Sequence, residues 1–340
     1  MRGFERLRSV LSVPQAPPEL FSLIACHSEP ADGHPYDVIP DSMSSYARFH
    51  RTQTGSLSSA LSKGKTMKLY LSFTAFFVAA LSVYVSAHEP DETDPVHSHA
   101  ISGWGQGEDT GVLGSTHGGV VIDEDGLVYS NTDTPRSIIV HQPDGTFVRS
   151  MASQYPGIHG MTLHKEDGKQ YIYAAHLAGH QVLKLRLDGT LVWALGVPME
   201  SGKYDDNPDA YAPTAVAVAP DGTIYVADGY GRQWIHIFGP DLTYKKTIGG
   251  LGSEPGQFRT CHGLAIDTRG GEPMLLVCDR ENRRIQRFHL DGTYKDVAIE
   301  ELRRPCAMSI RGNELAVAEL EGRVTILDEN FDVIEHVGDN

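Results

Sequence analysis

Cysteine is scarce in this chain: Cys26, Cys261, Cys278 and Cys306 are the four in 340 residues. That is too few for a scaffold built from disulfides, so the fold must stand on its hydrophobic core. Basic residues are also short, with 29 Lys and Arg against 44 Asp and Glu. From residue 88 onward the imbalance is 21 against 38. An acidic surface repels phosphate, which argues against a nucleic-acid partner and gives no reason for attraction to anionic lipid. Amphipathic helical patterns of three turns are missing after residue 100. What the chain has in quantity is turn residues, 35 Gly and 19 Pro, and these point to an all-β fold.

One apolar run, Leu69 to Val85, stands out near the N-terminus. Lys63, Lys65 and Lys68 precede it, and Val85-Ser86-Ala87 places small residues at positions −3 and −1 of a cleavage site. The pattern predicts a secretory signal peptide over 67–87, and so a secreted product, extracellular or periplasmic. The other reading is a single membrane anchor, for which the run is close to the minimum length; no stable anchor is expected. Residues 1–66 are rich in Ser and Pro and precede the signal, which suggests that translation starts at Met67 and that 1–66 is a non-native or disordered extension. Residues 88–99 are acidic, nearly free of apolar side chains, and read as a linker. Three histidines there admit loose metal binding or a plain solvated tail.

Residues 100–340 carry one returning pattern. A small or His-Gly step opens a short apolar strand, an Asp-Gly turn follows, and a second strand ends in Asp or a substitute. A polar loop and a third strand complete each unit. The clearest unit runs through Cys261-His262-Gly263-Leu264, Val277-Cys278-Asp279, Arg284-Ile285 and Asp291-Gly292. Other units open at His117, His159, Thr214 and Cys306. Periods of about 40–50 residues with four short strands are the signature of β-propeller blades.

The first strand of a propeller blade lines the central channel, so the residue that opens it can face the axis. Three of the five openers are histidine: His117, His159 and His262. Imidazoles meeting on one axis can bind Zn²⁺ and leave a coordination position open. The alternative for each is a strand cap, hydrogen-bonded to the neighbouring blade. Cys261 and Cys306 sit beside openers of adjacent blades and admit either a disulfide or two buried thiols.

The units resemble NHL repeats, with Gly252-Ser-Glu-Pro-Gly-Gln-Phe258 matching the interblade loop and Val226-Ala-Asp228 a strand end. Three stretches look more narrowly like the propeller of the peptidyl-α-hydroxyglycine α-amidating lyases: Ile158-His159-Gly160-Met161, Ala227-Asp228-Gly229-Tyr230, and Cys278-Asp279-Arg280-Glu281-Asn282. The resemblance implies a six-bladed ring, of which five blades are visible here. The sixth is either partial, made from 100–112 and 331–340, or lost by truncation, which is the expectation. The resemblance also implies zinc on histidines of alternate blades, two of them His159 and His262, with the third belonging to a blade beyond these five. It implies Tyr230 as base and Arg280 as the group that binds substrate, while a family arginine early in the domain has no counterpart here. Nothing in the sequence assigns a structural calcium.

Each role has a physical case and a plainer rival. Zinc on an α-hydroxyl lowers its pKa, and a tyrosine near zinc and an arginine can serve as base; the rival for Tyr230 is aromatic packing. Arg280 suits a carboxylate; its rival is a surface pair with Glu281 or a nearby Asp. The expected function is a secreted zinc-dependent lyase cleaving the C–N bond of a peptidyl-α-hydroxyglycine into an amide and glyoxylate, its small-molecule or peptide substrate entering the central channel. The alternative is a non-catalytic secreted propeller binding a protein, peptide or glycan on one face.

Overall fold

The Asp-Gly turns share one geometry. At Asp144, Asp188, Asp221 and Asp291 the carboxylate accepts the backbone N–H of the threonine two residues on, at 2.7–2.9 Å. The glycine between them takes φ of +84 to +88°. Only glycine adopts that region without strain, which is why the dipeptide closes these hairpins tightly.

The hairpins build four-stranded antiparallel sheets. The computed structural model describes residues 103–338 apart from 108, 109, 112, 113 and 118. Residues 1–66, the signal over 67–87, the linker over 88–99 and Cys26 lie outside the described residues. The first blade comprises β1 (Val120–Ile122), β2 (Val128–Asn131), β3 (Ile138–His141) and β4 (Phe147–Met151). The second is β5 (Ile158–Glu166), β6 (Lys169–His176), β7 (Gln181–Arg186) and β8 (Leu191–Leu195). The third is β9 (Ala215–Val218), β10 (Ile224–Ala227), β11 (Trp234–Phe238) and β12 (Tyr244–Gly249). The fourth is β13 (Cys261–Asp267), β14 (Met274–Asp279), β15 (Arg284–His289) and β16 (Tyr294–Ile299). The fifth is β17 (Pro305–Arg311), β18 (Glu314–Glu319), β19 (Arg323–Leu327) and β20 (Val333–Gly338). Every sheet pairs its strands in sequence order, and the first strands of successive blades lie side by side. The described residues form an all-β propeller of five four-stranded blades. Among the described residues there is no α-helix, and no helix is long and apolar enough to cross a membrane.

Strand alternation sorts side chains between two neighbouring blades rather than between core and water. On β9, Ala215 and Ala217 pack with Tyr225, Ile235, Leu264 and Val277 in the layer between the third and fourth blades. Val216 and Val218 on the same strand pack with Tyr173, Val182 and Tyr211 toward the second blade. All four residues of β9 are buried. Equivalent layers join the first blade to the second through Ile138, Ile158 and Leu183, and the fourth to the fifth through Leu276, Ile285 and Val317. Cys261, Cys278 and Cys306 are buried, and no disulfide joins Cys261 to Cys306. Burial pushes the Cys261 and Cys278 thiols well above their ordinary pKa.

Candidate active site

Within a blade the second strand returns to the end where the first began. The start of each first strand and the turn between the second and third strands therefore share one end of the channel. A register shift near the start of β5 and of β13 re-aims the opening residues. His159 and His262 sit at these shifts, each followed by a glycine. A Cβ on Gly160 would overlap the Thr214 carbonyl oxygen of the next blade, and one on Gly263 would overlap that of Cys306. The bare backbone lets each carbonyl come close enough to accept the histidine Nδ1–H, at 2.8 Å in both cases.

A carbonyl oxygen only accepts, so in both neutral rings Nδ1 carries the proton and Nε2 presents a lone pair. Both Nε2 atoms face one phenol: Tyr230 Oη lies 3.3 Å from that of His159 and 2.9 Å from that of His262. The His159 and His262 ring centroids are 4.8 Å apart. Burial is the main cause holding both imidazoles neutral. It lowers His262 to about 3, with Arg280 adding to the effect, and lowers His159 well below the ordinary range, with His262 and His117 adding to it. The strand-cap reading of these histidines is realised at Nδ1, while Nε2 of each is turned to the Tyr230 hydroxyl.

Tyr230 and Arg280 stand on equivalent turns of the third and fourth blades. Buried aspartates at the ends of the second strands hold those turns. Asp228 accepts the N–H of Ala212 at 2.7 Å and of Arg232 at 2.6 Å, together with the Tyr204 hydroxyl at 2.6 Å. Asp279 accepts the Arg259 N–H, Asn282 Nδ2 and Arg284 Nε, each at 2.8 Å, and Gln286 Nε2 at 3.0 Å. The backbone N–H groups of Tyr230 and Arg280 bond the carbonyls of Ala212 and Thr260. Arg280 is 8% exposed. Its NH1 donates to Tyr230 Oη at 3.2 Å and its Nε to Glu281 at 3.0 Å. The expected Glu281 pair is present, but on a buried arginine rather than a surface one, beside the contact with Tyr230.

His117 joins the cluster by stacking. Its ring lies 5.0 Å from that of His159 at an interplanar angle of 21°, and its Nε2 meets Asp133 at 2.8 Å. Among the described residues no three His, Cys, Asp or Glu side chains are grouped so as to hold a metal ion together. Sequence reasoning did not find the carbonyls of Thr214 and Cys306. The His-Gly step was their signal, since glycine there marks close backbone approach. It also missed Asn131, whose Nδ2 donates to the carbonyls of Ile158, at 2.5 Å, and His159, at 3.0 Å.

The NHL repeat family model matches residues 211–238, which span the Tyr230 turn. Peptidyl-glycine alpha-amidating monooxygenase B of Xenopus laevis is 37% identical over 138 residues, 38% of this chain and 15% of that protein. The probable peptidyl-alpha-hydroxyglycine alpha-amidating lyase pgal-1 of Caenorhabditis elegans is 34% identical over 135 residues, 38% of this chain and 36% of that protein. The matches thus span little more than a third of these curated relatives at most. A solved chain of a nidogen/laminin complex shares the fold at a TM-score of 0.51 and 18% identity, covering 65% of this chain and 79% of that one. The chain is a β-propeller that matches the NHL repeat over residues 211–238 and is similar over part of its length to proteins of peptide amidation.

Proposed function

We propose that this propeller is a secreted, zinc-dependent lyase that splits a peptidyl-α-hydroxyglycine into a peptide amide and glyoxylate. One observation carries the reading: two buried imidazoles bring bare Nε2 atoms to the same tyrosine oxygen, which also accepts from an arginine. A phenol has one O–H, so it can satisfy only one of those two lone pairs at a time. Neutral imidazoles with their Nδ1–H groups fixed on carbonyls are suited to a divalent metal, and His159 and His262 would hold it beside His117. When bound, zinc supplies polarisation of the substrate α-hydroxyl.

The chain's own residues supply the rest. Arg280 uses donors on Nε and NH1 for Glu281 and Tyr230, and its other N–H groups suit the substrate carboxylate. Tyr230 acts from its deprotonated form, whose negative charge the guanidinium beside it stabilises, and takes the hydroxyl proton. The O–H electron pair becomes the carbonyl of glyoxylate, the C–N bond breaks, and the amide nitrogen takes up a proton.

The test combines metal content with turnover of N-benzoyl-α-hydroxyglycine, read as released glyoxylate. The expected result is about one zinc per chain, turnover lost on chelation, and a fall of about 10²- to 10⁴-fold in Tyr230→Phe, the range for losing a general base. A metal-free protein without turnover would overturn the reading and leave the non-catalytic binding propeller.

A further inference from the structure

Arg280 is one corner of a three-membered charge cluster. Glu281 accepts from Arg280 Nε at 3.0 Å and, across the gap to the next blade, from Arg304. Arg304 Nε lies 3.2 and 3.1 Å from the two carboxylate oxygens, and its NH2 lies 2.5 Å from Oε1. Arg304 belongs to the loop that enters β17 and carries φ of +61°. That is a left-handed conformation costly for a long side chain, and Pro305 follows it. A glycine there would relieve the backbone, but it would remove the guanidinium.

The charges around the cluster do not cancel it. Arg283 and Glu321 form a bidentate pair at 3.0 Å for each contact, and Arg323 and Glu319 form another at 2.8 Å. The His262 ring is neutral, disfavoured as a cation mainly by burial and then by Arg280, with Arg304 a smaller contributor. Two guanidiniums share one carboxylate, so Arg280, Glu281 and Arg304 together hold one net positive charge at a channel mouth in a strongly acidic protein.

We propose that Arg304 is a positioning residue for a carboxylate site. By engaging both oxygens of Glu281, it stops that carboxylate from turning onto the free edge of Arg280. The Arg280 guanidinium then stays fixed and cationic, ready for the carboxylate end of an N-acylglycine-type ligand. Without Arg304 the cluster becomes neutral, and Glu281 can pair with Arg280 through two bonds and occupy the edge a ligand needs.

This inference rests on the role given to Arg280 above, and it is tested by binding, independently of turnover. Calorimetric titration compares N-benzoylglycine with its uncharged amide, N-benzoylglycinamide, on the full chain. The wild-type protein is expected to prefer the acid. Arg304→Gln should weaken acid binding about tenfold or more, as expected for losing a partly buried charge, and leave the amide and the melting temperature unchanged. The decisive variant is Arg304→Gln combined with Glu281→Gln, which removes the competing carboxylate and should restore most of the acid preference. The proposal is overturned if Arg304→Gln binds the acid as the wild type does, or if the double variant stays as weak as the single one. It is also overturned if the wild type does not discriminate acid from amide. A protein that shows the clamp without glyoxylate release would retain this inference and lose the lyase reading.

Discussion

At the scale of single residues, the site depends on two glycines as much as on the side chains that face the channel. Gly160 and Gly263 let a neighbouring carbonyl approach, and that carbonyl fixes which nitrogen of His159 or His262 holds the proton. A methyl group at 263 would push the Cys306 carbonyl away and leave a buried N–H without its acceptor. Gly263→Ala should therefore cost about 1–3 kcal/mol. Gly196→Ala, where an added Cβ meets nothing within 4 Å, should stay within about 0.5 kcal/mol. Urea unfolding midpoints decide this, and equal losses in the two variants would refute the close-approach account.

At the scale of an element, the turn between the second and third strand of each blade is the site's mounting. Its anchor is the acidic residue that ends the second strand, Asp228 in the third blade and Asp279 in the fourth. Burial pushes the Asp228 carboxyl up to about 6. Asp279 is raised less, again by burial, while its hydrogen bonds from Asn282, Arg259 and Arg284 pull the other way. Asp279→Ala would leave Arg284 Nε and the Arg259 backbone N–H without the acceptor both now share. A loss of about 3–5 kcal/mol is expected, as for removing one partner of a buried pair. It should be accompanied by weaker binding of N-benzoylglycine, because Arg280 is the next residue. A variant as stable as the wild type would show that the turn holds itself without the aspartate.

At the scale of the whole molecule, the propeller is a stack of interblade layers, each shared by two adjacent sheets. Ile138 lies in the layer between the first and second blades, and Ile285 in that between the fourth and fifth. Both are fully buried. Ile138→Val and Ile285→Val should each cost about 1 kcal/mol. The double variant should equal their sum within about 0.5 kcal/mol, since the two layers share no side chain. A much larger combined loss, measured by denaturant unfolding, would mean that the layers are coupled around the ring.

Fold and site were legible to different degrees. The blades could be read directly because Asp-Gly turns, short apolar strands and a repeat period are local properties of the chain. The histidine openers could be named from their place in a repeat, whereas Tyr230 and Arg280 were named only through the family resemblance of the Asp-Gly-Tyr and Asp-Arg-Glu-Asn steps. Which blade face an inner-strand residue meets was not legible, since strands such as β2, β10 and β14 are covered on both sides and alternation there no longer separates polar from apolar. Convergence was not legible either. His159, Tyr230, His262 and Arg280 are drawn from three blades, and only the angle between blades brings their polar atoms within hydrogen-bond distance. The same holds for Glu281 and Arg304, which are 23 residues apart. The sequence alone determined the repeat and the residues that open it; the packing of sheet against sheet decided which of those residues share a site, because contacts between blades depend on geometry that no local pattern encodes.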